Sequence, residues 1–219
     1  VITCALALAI ATPFSLATAI FMTEISPELG KRFVQPAVEI FVGIPSVVYG
    51  WIGLTILVPL IKNIFNLRFG FSVLAAGIVL AVMIFPTITS LAADALRSIP
   101  KSYRAASYGL GATRWQTIAK VVVPAAVTGL MTAVILGLAR AFGEALAVAM
   151  VIGKMRAFPT SLLSPTNNLT AAIAADMGGA MEGSEYNIAL WTMALLLFII
   201  SLACIFAIHF LTAKGGKQA

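Results

Sequence analysis

Residues 69–93 read FGFSVLAAGIVLAVMIFPTITSLAA, and residues 94–120, directly after them, read DALRSIPKSYRAASYGLGATRWQTIAK. The first stretch carries no charge over a length that suffices for one helical crossing of a bilayer, which takes about 20 residues. The second is basic and punctuated by Pro100, Gly109 and Gly111. Composition extends this reading to the whole chain. Its 219 residues are 61% apolar and 10% charged, with a mean hydropathy of +1.04. A soluble domain has about 45–50% apolar and about 25% charged residues, so there is too little charge here to cover a water-soluble globule. A disulfide scaffold is excluded, because Cys4 and Cys204 are the only cysteines and both lie in apolar runs. The apolar excess also excludes disorder.

Four further charge-poor runs cover residues 1–23, 40–61, 121–153 and 186–213, the third interrupted by Arg140 and Glu144. With 69–93 they predict an all-α membrane protein with five transmembrane helices in this chain. One transmembrane domain then covers residues 1–213, with a cytoplasmic tail at 214–219. The runs are continuous rather than alternating, which excludes barrel strands. No basic region precedes the first run, so it is not a cleaved signal. It is already apolar at Val1, and an earlier helix is expected in the full protein.

The basic residues set the orientation. Connections 24–39 and 94–120 and the tail carry Lys31, Arg32, Arg97, Lys101, Arg104, Arg114, Lys120, Lys214 and Lys217. The opposite connections carry Lys62, Arg68, Lys154 and Arg156. Nine against four places the first set in the cytoplasm by the positive-inside rule. The net charge of +6 is then mostly a topology signal directed at membrane lipid. No basic and aromatic cluster forms a patch for nucleic acid.

Two connections are long enough to carry function. In 94–120, Pro100 ends one helix, a second begins at Lys101, and the small residues Ala105, Ala106, Ser107 and Gly109 lead to a turn at Gly111. A helix, a glycine turn and another helix make a compact knob. The competing reading is a helix lying flat on the membrane, which Trp115 between Arg114 and Lys120 would suit. The external connection 154–185 contains Pro159, Pro165, Asn167 and Asn168 ahead of a helix-like AAIAADMGGA, and reads as a simple loop or a re-entrant segment.

Soluble-enzyme chemistry is missing: the chain has no phosphate-binding glycine loop and no Cys/His cluster. No cofactor, metal or catalytic residue is expected, and His209 reads as an interface residue. Gly43, Pro45, Ser46, Tyr49 and Gly50 concentrate helix breakers in one span, a pattern suited to a cavity wall. Arg140 and Glu144 are four apart and would share one helix face. At ~1.5 Å per residue Arg140 lies about 20 Å from Gly153, inside the bilayer. A charge there costs at least about 2.5–3.5 kcal/mol and marks a functional site by default. The alternative is a self-neutralising structural pair.

The pattern Ala105-Ala106-Ser107-x3-Gly111-x9-Val121-x-Val123-Pro124 resembles the cytoplasmic "EAA" loop of type I binding-protein-dependent ABC importer permeases. FMTEISP (21–27), EIFVGIPSVVYGWIGL (39–54), LGATRWQTIAKVVVP (110–124) and LARAFGEALAVAMVIG (138–153) are similar, in order, to the PstC-type permease of the phosphate-specific transporter. The chain departs at Ala105, where the loop usually opens with an acid.

The resemblance implies a type I ABC importer transmembrane domain with six helices in the full protein, in a bacterial or archaeal cytoplasmic (inner) membrane. It also implies a PstA-type permease partner, a dimer of ATP-binding subunits below and a periplasmic phosphate-binding protein above. ATP hydrolysis would belong to the partner, so the chain itself is no enzyme. Ala105, Ala106, Ser107, Gly109 and Gly111 would couple to the ATPase. Arg140 and Glu144, with Ser46 and Tyr49, would line the phosphate path. Sulfate, molybdate and phosphonate stay open as substrates, because arginine recognises any oxyanion. An ATP-independent anion channel or carrier is the reading from another class.

Overall fold

The computed structural model describes residues 1–155 and 157–215, apart from the side chains at 204, 207–209 and 211–215. The readings of Arg156, His209, Lys214 and Lys217 lie outside the described residues. The described chain is helical without strands; a single parallel bridge joins Gly153 to Thr166. The helices are α1 (Ile2–Ile20), α2 (Gln35–Gly43), α3 (Ser46–Ile52), α4 (Val58–Ile64), α5 (Val73–Arg97), α6 (Lys101–Gly109), α7 (Arg114–Thr117), α8 (Val127–Gly143), α9 (Leu146–Val151), α10 (Leu169–Asp176) and α11 (Glu185–Gly215). Widened π-helical turns follow α1 (Phe21–Ile25), α3 (Gly53–Leu57) and α7 (Ile118–Val122), a fourth (Gly30–Val34) precedes α2, and single helical turns lie at Pro27–Leu29 and Val123–Ala125.

Four stretches among the described residues are long and apolar enough to cross a membrane: Ile2–Ile25, Ser46–Ile64, Val73–Arg97 and Glu185–Ala203. A fifth is the pair Arg114–Ala125 and Val127–Gly143, bent by 68°. The run 121–153 is therefore not one long helix. It turns sharply after Pro124 and breaks again at Glu144 and Ala145. Several hydroxyls in the spans bond to their own helix: Thr18 donates to Phe14 O, Thr55 to Trp51 O, Thr132 to Thr128 O and Thr192 to Ile188 O, each over 2.8–2.9 Å. Such back-bonding lets a polar side chain face lipid without an orphaned donor. In α11 only 6% of the apolar window is buried, against 67% in α5. Trp191, Leu195 and Phe198 are accordingly exposed, as expected where lipid is the solvent.

Contacts group the chain into two units. The first comprises Val1–Ile10, Ile44–Ile84 and Leu138–Ile205. Its helices meet through small residues, which allow close approach when no hydrophobic force drives association. A Cβ on Gly50 would lie 2.8 Å from Ala147 Cα, and one on Gly53 would lie 2.6 Å from Val79 Cγ2. The first amides of α5 bond to the connection 154–185, Val73 N to Ser164 O (3.2 Å) and Leu74 N to Leu162 O (2.8 Å). These bonds satisfy helix-end donors that would otherwise be buried alone. The connection 154–185 is thus tied to the start of α5, with α10 inside it.

The second unit comprises Ala11–Gly43, Phe85–Gly137 and Phe206–Ala219. Here α8 lies on α5, where a Cβ at Gly129 would come within 2.6 Å of Ala95 Cβ. Pro86 is accommodated within α5, and the Phe85 carbonyl beside it accepts from both Ser15 Oγ (3.1 Å) and Thr89 Oγ1 (2.8 Å).

Candidate functional site

The polar connection after α5 folds into a knob that supports itself. Pro100, extended at ψ 142°, precedes α6, which starts at Lys101. At its far end Gly111 adopts φ +79°, which an L side chain resists. Its amide donates to Tyr108 O (2.9 Å), and the next one, Ala112 N, to Ser107 O (3.2 Å). Thr113 then caps α7 in a reciprocal box: Thr113 N donates to Gln116 Oε1 (2.9 Å), and Gln116 N donates to Thr113 Oγ1 (3.3 Å). Ser107 and Thr117 are buried against each other, their hydroxyls 2.9 Å apart, which locks α6 to α7. Ala105, Ala106, Gly109 and Gly111 are exposed, whereas Ser107 faces inward and shapes the knob from within. Around them stand exposed Tyr103, Tyr108, Leu110 and Trp115, with Leu110 89% accessible. That apolar crown on a polar loop was not singled out from sequence, although an exposed Leu between two glycines is its signal.

Two arginines fix the knob to the end of α1. Arg104 donates from Nε to Glu24 Oε2 (3.1 Å) and from Nη2 to Glu24 Oε1 (2.5 Å). It also donates to Leu96 O (3.0 Å), in the last turn of α5, and to Ile99 O (2.7 Å), in the bend that follows. The bonds to Glu24 raise the Arg104 pKa above its ordinary value, against the opposing pull of burial. Arg114 Nη2 donates to the Glu24 carbonyl and to Ile25 O (2.6 Å). Sequence reading counted both arginines as topology charges; the partner Glu24 is 80 residues from Arg104 and no local pattern points to it.

In the first unit Tyr49 is buried, and its phenol lies within electrostatic reach of the Arg140 guanidinium. Ser46, half-buried in the first turn of α3, is on the same face as Tyr49, three residues on. Arg140 occupies the last turn of α8, where a cation complements the helix dipole. Arg140 and Glu144 do not share a continuous helix face, because α8 stops at Gly143 and Glu144 lies in the break. The Glu144 carboxylate accepts from Ala147 N (3.1 Å) in the first turn of α9, and its carbonyl accepts from Thr170 Oγ1 of α10 (2.8 Å). The two charges thus flank a helix break, each on the helix end that suits its sign. A cavity of about 580 Å³ adjoins this region, lined by Phe142, Asn167, Asn168, Thr170 and Tyr186 among mainly apolar neighbours. Among the described residues no cluster of His, Cys, Asp or Glu could hold a metal ion.

Residues 9–214 match the family described as binding-protein-dependent transport system inner membrane component. The chain belongs to this family of permeases. It is 56% identical over 205 residues to a probable ABC transporter permease protein, YqgH, of Bacillus subtilis, covering 94% of this chain and 66% of that protein. It is 39% identical over 219 residues to the phosphate transport system permease protein PstC of Haemophilus influenzae, covering 91% and 69%. The chain therefore spans about two thirds of the length of these relatives. In fold the permease is similar to a chain of the MetNI methionine ABC transporter in an inward-facing conformation, with a TM-score of 0.71, 22% identity, and coverage of 97% of this chain and 89% of that one. The expected PstC-type resemblance and the type I ABC importer transmembrane fold are both borne out.

Proposed function

We infer that the permease carries inorganic phosphate into the cytoplasm as the PstC-type half of an ATP-driven importer. The half-buried Arg140, beside buried Tyr49 at a break between two helices, carries the reading. Arg140 is 13 residues beyond Val127, about 20 Å along the crossing from its cytoplasmic start, well inside a core about 30 Å thick. Phosphate entering there loses its hydration shell, and a planar guanidinium offers two parallel donors to replace part of it. Glu144, held at the break, keeps the site from becoming an anion trap, since conduction needs release as well as binding.

In this reading connections 24–39 and 94–120 are cytoplasmic and 154–185 faces outward. The exposed crown of Leu110, Tyr108 and Trp115, with Ala105, Ala106, Gly109 and Gly111, docks a separate ATPase dimer, and Ser107 holds its shape. A PstA-type permease completes the pathway, and a phosphate-binding protein delivers from outside. The family's fold and the 39% identity to PstC support each of these partners.

The test is uptake by the reconstituted complex in proteoliposomes, with sulfate and molybdate as competitors. ATP-dependent phosphate uptake is expected in the wild type. Arg140→Gln should lower it by about 100-fold or more, the loss of a charge-assisted bidentate contact, with assembly intact. Glu144→Gln should impair it less. Wild-type uptake by the double variant Arg140→Gln/Glu144→Gln would make the pair structural. Phosphate movement without ATP would favour a channel.

A further inference from the structure

We propose that Glu24 and Arg104 form the transmission latch of the permease, the ion pair through which movement of the cytoplasmic knob reaches α1. The proposal rests on the reading of the knob as the ATPase-docking element. The knob holds its own shape: the Gly111 turn, the Thr113–Gln116 capping box and the buried Ser107–Thr117 pair all close within 107–117. None of them involves the end of α1. What Glu24 determines is therefore not the form of the knob but where it is anchored.

Both arms of the knob converge on this one residue. From α6, Arg104 grips the Glu24 carboxylate with two nitrogens, and with its remaining donor capacity the Leu96 carbonyl in the last turn of α5 and the Ile99 carbonyl just beyond it. From α7, Arg114 grips the Glu24 carbonyl. One guanidinium thus ties together the ends of α1, α5 and α6. Only arginine has this planar fork; lysine puts its three donors on one nitrogen at the end of a flexible stem and cannot pair with a carboxylate side by side while reaching both carbonyls. The pair is also shielded, with side-chain exposures of 20% for Arg104 and 8% for Glu24. An exposed ion pair exchanges freely with water and contributes little. A shielded one resists separation, because parting it strands a charge away from solvent. Displacing the knob must either carry the end of α1 with it or break this pair. Glu24 sits in a widened turn, Phe21–Ile25, directly continuous with α1, so the pull has a helix to act on. By contrast, the nearby tie from Arg97 to Gln35 (3.0 Å) is exposed and suited only to a loose contact.

The experiment uses the reconstituted complex carrying Glu24→Gln, Arg104→Gln or Arg104→Lys. ATP hydrolysis, phosphate uptake and the amount of ATPase retained on the purified permease are measured on the same vesicles. ATPase retention and basal hydrolysis should match wild type, because the docking crown is untouched. Phosphate taken up per ATP should fall roughly tenfold in the two glutamine variants and less in Arg104→Lys, in the range of ordinary coupling energies. The double glutamine variant should be no worse than the poorer single one, as for two groups acting as a unit. Wild-type uptake per ATP in Arg104→Gln and Glu24→Gln would overturn the latch alone. Loss of ATPase retention in Arg104→Lys would also overturn it, making the pair a shaper of the docking face. A wild-type complex that hydrolyses ATP yet moves no anion would instead overturn the function on which the latch rests.

Discussion

Gly50 and Gly111 are required for opposite reasons, and the contrast divides the molecule. At Gly50 the backbone is ordinary helix, but a Cβ would sit 2.8 Å from the Ala147 backbone and 2.9 Å from Met150 Sδ. At Gly111 nothing lies within 4 Å of a built Cβ, yet φ is +79°. One glycine provides room and the other provides a backbone shape. The first unit, around Arg140 and Tyr49, is held by close packing of small residues. The knob of the second is held by hydrogen bonds, turns and an ion pair. Dense packing has few alternative arrangements, whereas charged ties and turns can be parted and remade. That is the division of labour the proposed function asks for, between a pathway wall and a moving coupler.

Gly50→Val should have the largest effect. The clash is with the Ala147 backbone, so relief requires α3 and α9 to separate, and overpacking of a single site costs about 1–3 kcal/mol. Val adds two methyls to the Cβ that already clashes, and the complex is expected to lose its cooperative melting transition in detergent. Gly50→Ala should melt lower but remain assembled. Unchanged melting in both would mean that the close crossing is not what holds this unit together.

Gly111→Val comes next. A left-handed residue other than glycine costs about 1–2 kcal/mol, and nearly all of it is expressed within the exposed turn. Permease melting should hardly change, while transport-stimulated ATP hydrolysis falls roughly tenfold, the factor that about 1.4 kcal/mol represents. Asparagine, which visits the left-handed region more readily, should restore stimulation at 111 and should fail at 50. Rescue by asparagine at both positions, or at neither, would break the contrast.

The sequence disclosed those features whose cause is local. Apolar runs marked where long helices lie, although the run 40–61 is broken at Ile44 and Pro45 between α2 and α3. Pro100, Gly109 and Gly111 marked the knob, and Arg140 stood out as a charge within an apolar run. Span edges were harder, because a run ends at its first charge while a helix does not. The run 69–93 ends before Asp94, whereas α5 continues through Asp94 to Arg97, whose side chains reach water. The break at Glu144 was hidden: Gly143 alone does not announce it, and the carboxylate that caps α9 looks in sequence like a partner one turn along an unbroken helix. The Glu24–Arg104 pair was illegible for a different reason. Its members are 80 residues apart, and only the packing of three helix ends makes them neighbours.

The smallest expected effect comes from a matched pair of helix caps, one in each unit. Thr113 caps α7 of the knob, and Asn168 Oδ1 accepts from Ala171 N (2.8 Å) at the start of α10. Replacing such a cap by alanine costs about 1 kcal/mol in either case, so the local damage is equal by design. The surroundings are not. α7 is the first turn of the helical stretch Arg114–Ala125, and in it Arg114, Trp115 and Gln116 are exposed. An exposed first turn has little packing to hold it, and its cap is a large share of what does. α10 has Thr170 and Ala171 buried, and Thr170 is bonded to the Glu144 carbonyl, so packing holds its first turn after the cap is gone. Thr113→Ala should therefore lower transport-stimulated ATP hydrolysis about two- to threefold, a fraction of the capping energy. Asn168→Ala should leave stimulation unchanged and shift melting by no more than a few degrees. The comparison requires measuring both variants in one preparation, by stimulated hydrolysis and by thermal melting. If Asn168→Ala reduces uptake with stimulation intact, the cavity that Asn168 lines belongs to the anion path. If the two variants lose stimulation equally, cap loss is felt alike in both units, and the distinction between a packed wall and a hydrogen-bonded coupler does not hold.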